Sequence, residues 1–138
     1  MQNKNVFSRL LNLTGLFTII YMILIFILSS IPGRYIGMKG FTLIDKWVHM
    51  IEYSILGVLI LLTLKNRIIN NKIRIISAVA LSTFYGITDE IHQLFVPNRS
   101  FDYFDILADF IGSCAGVLLF YIVSSLLCSA GQRSDTCN

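Results

Sequence analysis

The chain has 138 residues, of which 55% are apolar and only 14% charged, with a mean hydropathy of +0.72. That mixture excludes an ordinary soluble domain and points to lipid as the solvent. Four spans of roughly 20 residues each would use most of the length, so residues 1–138 read as one integral membrane domain. The net charge of +3 is spread through short inter-helix segments rather than gathered into a stripe, which argues against nucleic acid as a partner.

Taken in chain order, Leu13 to Ser30 is an uncharged run closed by Ile31-Pro32-Gly33, where proline and glycine punctuate a helix. It follows Lys4 and Arg9 but lacks an A-x-A cleavage pattern, so it reads as a retained first span. A connector containing Arg34, Gly37, Lys39 and Gly40 leads to a second apolar run, Trp47 to Leu64. Lys65, Arg67, Lys72 and Arg74 bracket a short turn. A third run begins at Ile75 and needs Asp89 to Phe95 to reach full length. Pro97 and Asn98 break the chain, and Asp105 to Leu127 makes the fourth span. The expectation is an all-α four-helix transmembrane bundle, with helices at about 13–31, 47–64, 75–95 and 105–127.

Lys and Arg in short loops set orientation. Seven of them share the side of the two termini and the middle turn, against four on the other side, Arg34, Lys39, Lys46 and Arg99. Both termini are therefore expected in the cytoplasm, in a multi-pass protein of the inner membrane.

On that topology seven of the eight acidic residues and both histidines converge on one extracytoplasmic rim. Charges within a span are costly, about 2.5–3.5 kcal/mol each at mid-depth, so they face the bundle interior, pair with one another and mark function. His49 and Glu52 are three apart and share a helical face, with Lys46 one turn earlier. Asp89, His92 and Gln93 repeat the pattern, with Glu90 beside them, and Asp105 and Asp109 lie one turn apart on the fourth helix. Glu52 and Asp109 lie deepest, whereas Asp45, Lys46 and Asp102 read as surface or interfacial groups. Such a pocket could bind a divalent cation through carboxylate and imidazole, perform acid/base chemistry, or grip phosphate through Arg99, Lys46 and a protonated histidine. The plainer reading is that His49 and His92 pair with carboxylates to staple helices together.

Gly112-Ser-Cys-Ala-Gly116 is a GxxxG run, expected to bring two backbones together inside the chain. Cys114 within it reads as a packing element. Cys128 and Cys137 follow in the tail, and the three cysteines do not suggest a disulfide framework.

Three blocks carry a resemblance. They are Asp45-Lys46-x-x-His49-x-x-Glu52-Tyr53-x-x-Leu56-Gly57, then Tyr85-Gly86-x-x-Asp89-Glu90-x-His92-Gln93-x-Phe95-x-Pro97-x-Arg99, and Asp105-x-x-Ala108-Asp109-x-x-Gly112. In order and spacing, over about residues 40–120, they resemble the VanZ-like membrane proteins. The first helix is similar only in being apolar. The resemblance implies a bacterial cytoplasmic-membrane protein, and the family's founding member is associated with resistance to teicoplanin, a glycopeptide with a lipid tail. It implies no particular reaction.

Two functions compete on this reading. One is an enzyme acting on a lipid-linked or phosphorylated envelope molecule, with His49, Glu52, Asp89, Glu90, His92 and Asp109 as catalytic candidates. There Glu52 or Asp89 serves as base or metal ligand and His92 as its partner. Lys46, Tyr53, Tyr85, Gln93, Arg99 and Asp105 are the substrate-binding candidates. The other is a non-catalytic binder of membrane lipid, a lipid-linked precursor or a lipoglycopeptide, or else a small lipid transporter.

Overall fold

A computed structural model describes residues 2–33, 42–65 and 67–134, with side chains over 13–33, 43–65 and 67–127. The connector with Arg34 and Lys39, the side chains of Lys4, Arg9, Cys128 and Arg133, and Cys137 lie outside the described residues. Among the described residues the chain is all-helical: α1 (Gln2–Ser29), α2 (Thr42–Leu64), α3 (Asn71–Gln93) and α4 (Tyr103–Ser134).

These helices start earlier than the apolar runs suggest, because hydropathy finds the span and polar caps find the helix. Asn70 caps α3, its side chain accepting from the Lys72 and Ile73 N–H groups, so α3 begins at Asn71 rather than near 75. Asp102 Oδ1 accepts the Phe104 N–H at 2.8 Å and caps α4, which begins at Tyr103 rather than 105. Past Gln93 the chain turns through single i+3 bonds, Phe95 to His92, Val96 to Gln93 and Arg99 to Val96.

The centre of the fold is the α2–α4 pair, the most extensive helix contact. A Cβ on Gly112 would strike the Met50 carbonyl, and one on Gly116 the Ser54 carbonyl. Positions four apart on α4 thus meet positions four apart on α2 in the same order, so the two helices run parallel in close backbone contact. This is the intramolecular packing that the GxxxG spacing suggested. α3 packs against both members of the pair, and α1 lies mainly along α2 and touches α3. The core holds Ile25, Tyr53, Leu56, Ala78 and Val117.

α2 and α4 are long and apolar enough to cross a membrane over Leu43–Leu64 and Tyr103–Leu127. Only 33% and 28% of those windows are buried, so the helices present their apolar side chains outward. A core helix of a soluble protein does the reverse. Leu13–Ser29 of α1 forms a shorter apolar stretch.

Gly116→Val is expected to push α4 off the Ser54 carbonyl, an overpacking cost of about 1–3 kcal/mol. In detergent the variant should melt several degrees below the parent, while a like change at lipid-facing Leu119, which is 63% exposed, should leave the melting temperature unmoved.

Candidate functional site

The α2–α4 register continues outward from the glycines as a polar ladder. Lys46 Nζ lies 2.7 Å from Asp105 Oδ1 and 2.7 Å from Asp102 Oδ2. One turn deeper, His49 Nδ1 lies 3.0 Å from Asp109 Oδ1. An i, i+3 pair on α2 therefore meets an i, i+4 pair on α4, as parallel helices require. His49 is 5% exposed, Asp105 4% and Asp109 0%. Gly86 of α3 makes room for this arrangement, since a Cβ there would occupy the place of the Asp109 carboxylate.

α3 closes the cluster with Glu90, which is 0% exposed. Its Oε2 accepts the Asp102 N–H at 2.9 Å, while Oε1 has no hydrogen-bond partner and faces His49 Nε2 at 3.9 Å. That is too long for a hydrogen bond. An ionised Asp109 can only accept, so its bond to His49 puts a hydrogen on Nδ1, and Nε2 then faces Glu90 with a lone pair in the neutral imidazole or with a second N–H in the imidazolium. Asp109 Oδ2 and the Tyr53 hydroxyl are also buried without partners, and the Tyr53 ring lies parallel to His49 with centroids 6.2 Å apart. Below them the Ser82 and Ser113 hydroxyls, 2.8 Å apart, both rest against the Tyr53 carbonyl.

The neighbours Asp89 and Glu90 point about 100° apart on a helix and are dealt to different partners. Asp89 turns to α1, where Ser29 Oγ donates to its Oδ1 at 2.6 Å, and Gln93 Nε2 donates to its Oδ2 at 3.1 Å. His92 lies on the same side, 3.0 Å from Ser30 Oγ and stacked on Phe26 with centroids 4.3 Å apart. The Tyr85 hydroxyl donates to the Met22 carbonyl at 2.7 Å. Asp89, His92 and Tyr85 thus bind α1, with Gln93 supporting Asp89 from within α3, and His92 is partnered by neither Asp89 nor Glu52.

Glu52 is half-buried between the two groups, within electrostatic reach of His49, Asp89, Asp109 and Arg99. Its carboxylate makes no hydrogen bond among the described residues. Arg99 bridges the outer loops, its Nε 3.4 Å from the Ile31 carbonyl and its Nη1 3.9 Å from Asp45 Oδ1. Lys46 and Arg99 both face carboxylates, and the cluster they border is rich in negative charge. Asp45, His49 and Asp105 each offer one donor atom, all within 4.8 Å of one another.

Asp102 is not a bystander at the surface: it caps α4, pairs with Lys46 and donates its N–H to Glu90. A cap signal was available in its place one residue before a helix start, but its two other partners lie on other helices. Ser29 and Ser30 were missed because they end an uncharged run. A serine pair at the polar end of a span was the one clue.

Breaking a buried charged pair by removing one member costs about 3–5 kcal/mol. Asp109→Ala should therefore destabilise strongly and Asp109→Asn, which keeps an acceptor for His49, much less, as read by melting in detergent. At the loop, the Lys46 ammonium holds the Asp102 carboxyl below the usual aspartate range, with the Phe104 N–H helping. A carboxyl depressed by folding adds stability above its unfolded value and loses it as pH falls through the folded one. Lys46→Met should return Asp102 to the ordinary range in a carboxyl ¹³C titration and flatten that acid limb of stability.

The sequence profile of the VanZ/LLP1 family matches residues 2–124, which takes in the whole of α1, Ser29 and Ser30, as well as the three blocks of the ladder. Comparison with curated proteins and with solved structures returns no match. With a profile match over most of its length, the chain belongs to the VanZ/LLP1 family.

Proposed function

We propose that this chain is a four-span protein of the bacterial cytoplasmic membrane, with both termini inside. Its extracytoplasmic pocket binds and acts on a lipid-linked or anionic cell-envelope molecule, and it thereby contributes to protection against teicoplanin. The observation that carries this reading is the buried set His49, Asp109 and Glu90 at one end of an apolar bundle, with carboxylate oxygens left unpartnered. A bundle does not need such groups to stand. Polar side chains at that depth are retained for chemistry or binding, and a histidine oriented by a buried carboxylate is a group that can take and return a proton.

The remaining features fit around that centre. The basic residues Lys65, Arg67, Lys72 and Arg74 lie at the end of the bundle opposite the pocket, the cytoplasmic end by charge bias. The pocket then lies at the level of outer-leaflet head groups, where a lipid-linked precursor or the tail of a lipoglycopeptide would meet it. The outward apolar faces of α2 and α4 accommodate the lipid part. Membership of the VanZ/LLP1 family supports the envelope setting.

The deciding experiment is teicoplanin susceptibility of a sensitive host expressing the parent, His49→Gln or Glu90→Gln, with the membrane level of each protein measured in the same cells. The parent is expected to raise the inhibitory concentration, and the variants to accumulate and fail to do so. Equal protection by accumulated variants would remove the pocket from the function. No protection by the parent would remove the glycopeptide.

A further inference from the structure

We propose that Asp45, His49, Glu90 and Asp105 form a binding site for one divalent transition cation of the Zn²⁺ or Mn²⁺ class; the inference deepens the functional reading of this pocket and rests on it. Three of the four residues already bring one donor atom each to within 4.8 Å of one another. The fourth supplies an independent observation. Glu90 is 0% exposed, and its Oε1 has no partner and points at His49 Nε2 across 3.9 Å.

In neutral His49, an Nδ1–H given to Asp109 leaves a lone pair on Nε2, so two electron-rich atoms would face each other in a buried place. That arrangement is repulsive unless something electropositive lies between them. The separation is just under twice a metal–ligand distance of about 2.0–2.2 Å, so one ion can touch both. A ligating histidine commonly donates its other ring N–H to a carboxylate, which fixes its tautomer and its aim, and Asp109 does this for His49. One imidazole with carboxylates selects borderline cations over the hard, all-oxygen ions.

The charge balance agrees. Among the described residues, Asp45, Glu90, Asp102, Asp105 and Asp109 face Lys46 and Arg99 as permanent cations. Lys46 and the Asp102 loop close the outer side of the site, and Asp105 keeps its second oxygen free of Lys46 for the ion. The alternative occupant of the gap is a proton on Nε2, making His49 an imidazolium between two carboxylates.

The test uses the full chain in detergent, stripped with a chelator, desalted, and titrated with Zn²⁺ alone and with Mn²⁺ alone. Uptake is followed by calorimetry, and bound metal is counted by mass spectrometry after desalting. The expected result is saturable uptake of one ion per chain. His49→Gln and Asp45→Asn should each weaken it by at least about tenfold, and His92→Gln, which alters the chain's other imidazole, should leave it unaltered. If His49→Gln fails to fold, Asp45→Asn decides, since it lies at the half-exposed rim and leaves the buried pairs in place. No saturable uptake by the parent would assign the gap to the imidazolium and overturn the proposal. Unchanged uptake in Asp45→Asn, or uptake that depends on His92, would overturn it equally. No envelope lipid is present in this assay, so its failure leaves the envelope function standing, and failure of the susceptibility experiment leaves the cation site standing.

Discussion

The close approach of two parallel helices is the constraint on which the rest of the structure depends. Gly112 and Gly116 let α4 rest on the α2 carbonyls of Met50 and Ser54. That contact sets both the distance and the register of the pair. The register then decides which side chains meet further out: Lys46 reaches Asp105, and His49 reaches Asp109. A bulkier residue at either glycine would separate not only two backbones but also an imidazole from its carboxylate. Packing at mid-depth and chemistry at the rim are two ends of one interface.

The same interface explains why so much charge is tolerated. A lone carboxylate in apolar surroundings is expensive, and here nearly every one has a partner supplied by another helix. α1 provides Ser29 for Asp89, α2 provides Lys46 for Asp105 and Asp102, and the loop before α4 provides an N–H for Glu90. The pairs also tie all four helices together at the polar end, so the network serves stability as well as the pocket. Besides the half-buried Glu52 carboxylate, the buried atoms left without a partner at this end are one oxygen of Glu90, one of Asp109 and the Tyr53 hydroxyl. These atoms cluster around His49, the only imidazole held between two carboxylates. Buried polar networks ordinarily close on themselves, and these atoms do not.

The two sides of α3 have different work. Asp89 and His92 face α1 and fasten it through Ser29, Ser30 and Phe26, with Gln93 bonded to Asp89, whereas Glu90 faces α2 and α4. The i, i+3, i+4 stripe that stands out in the sequence is therefore the fastening one, and the residue beside it joins the pocket. The VanZ/LLP1 match over residues 2–124 takes in both sets.

By itself the sequence determined that the chain is helical, that its helices are largely apolar, and that its acidic residues and histidines gather at one end. Composition, hydropathy and the punctuation at Pro32-Gly33 and Pro97-Asn98 suffice for that, because lipid accepts few other backbones. It also determined the stripes within each helix, since 3.6-residue geometry is local. Only the tertiary structure decided which stripes meet. Asp102 reads as a loop carboxylate until Lys46 and Glu90 are seen beside it, and Ser29 and Ser30 read as the end of an apolar run until Asp89 and His92 turn toward them. Partners on different helices are chosen by the angle and depth at which those helices pack. In this chain that choice was made by two glycines meeting two carbonyls some sixty residues away; the GxxxG spacing announces a close approach but not its partner.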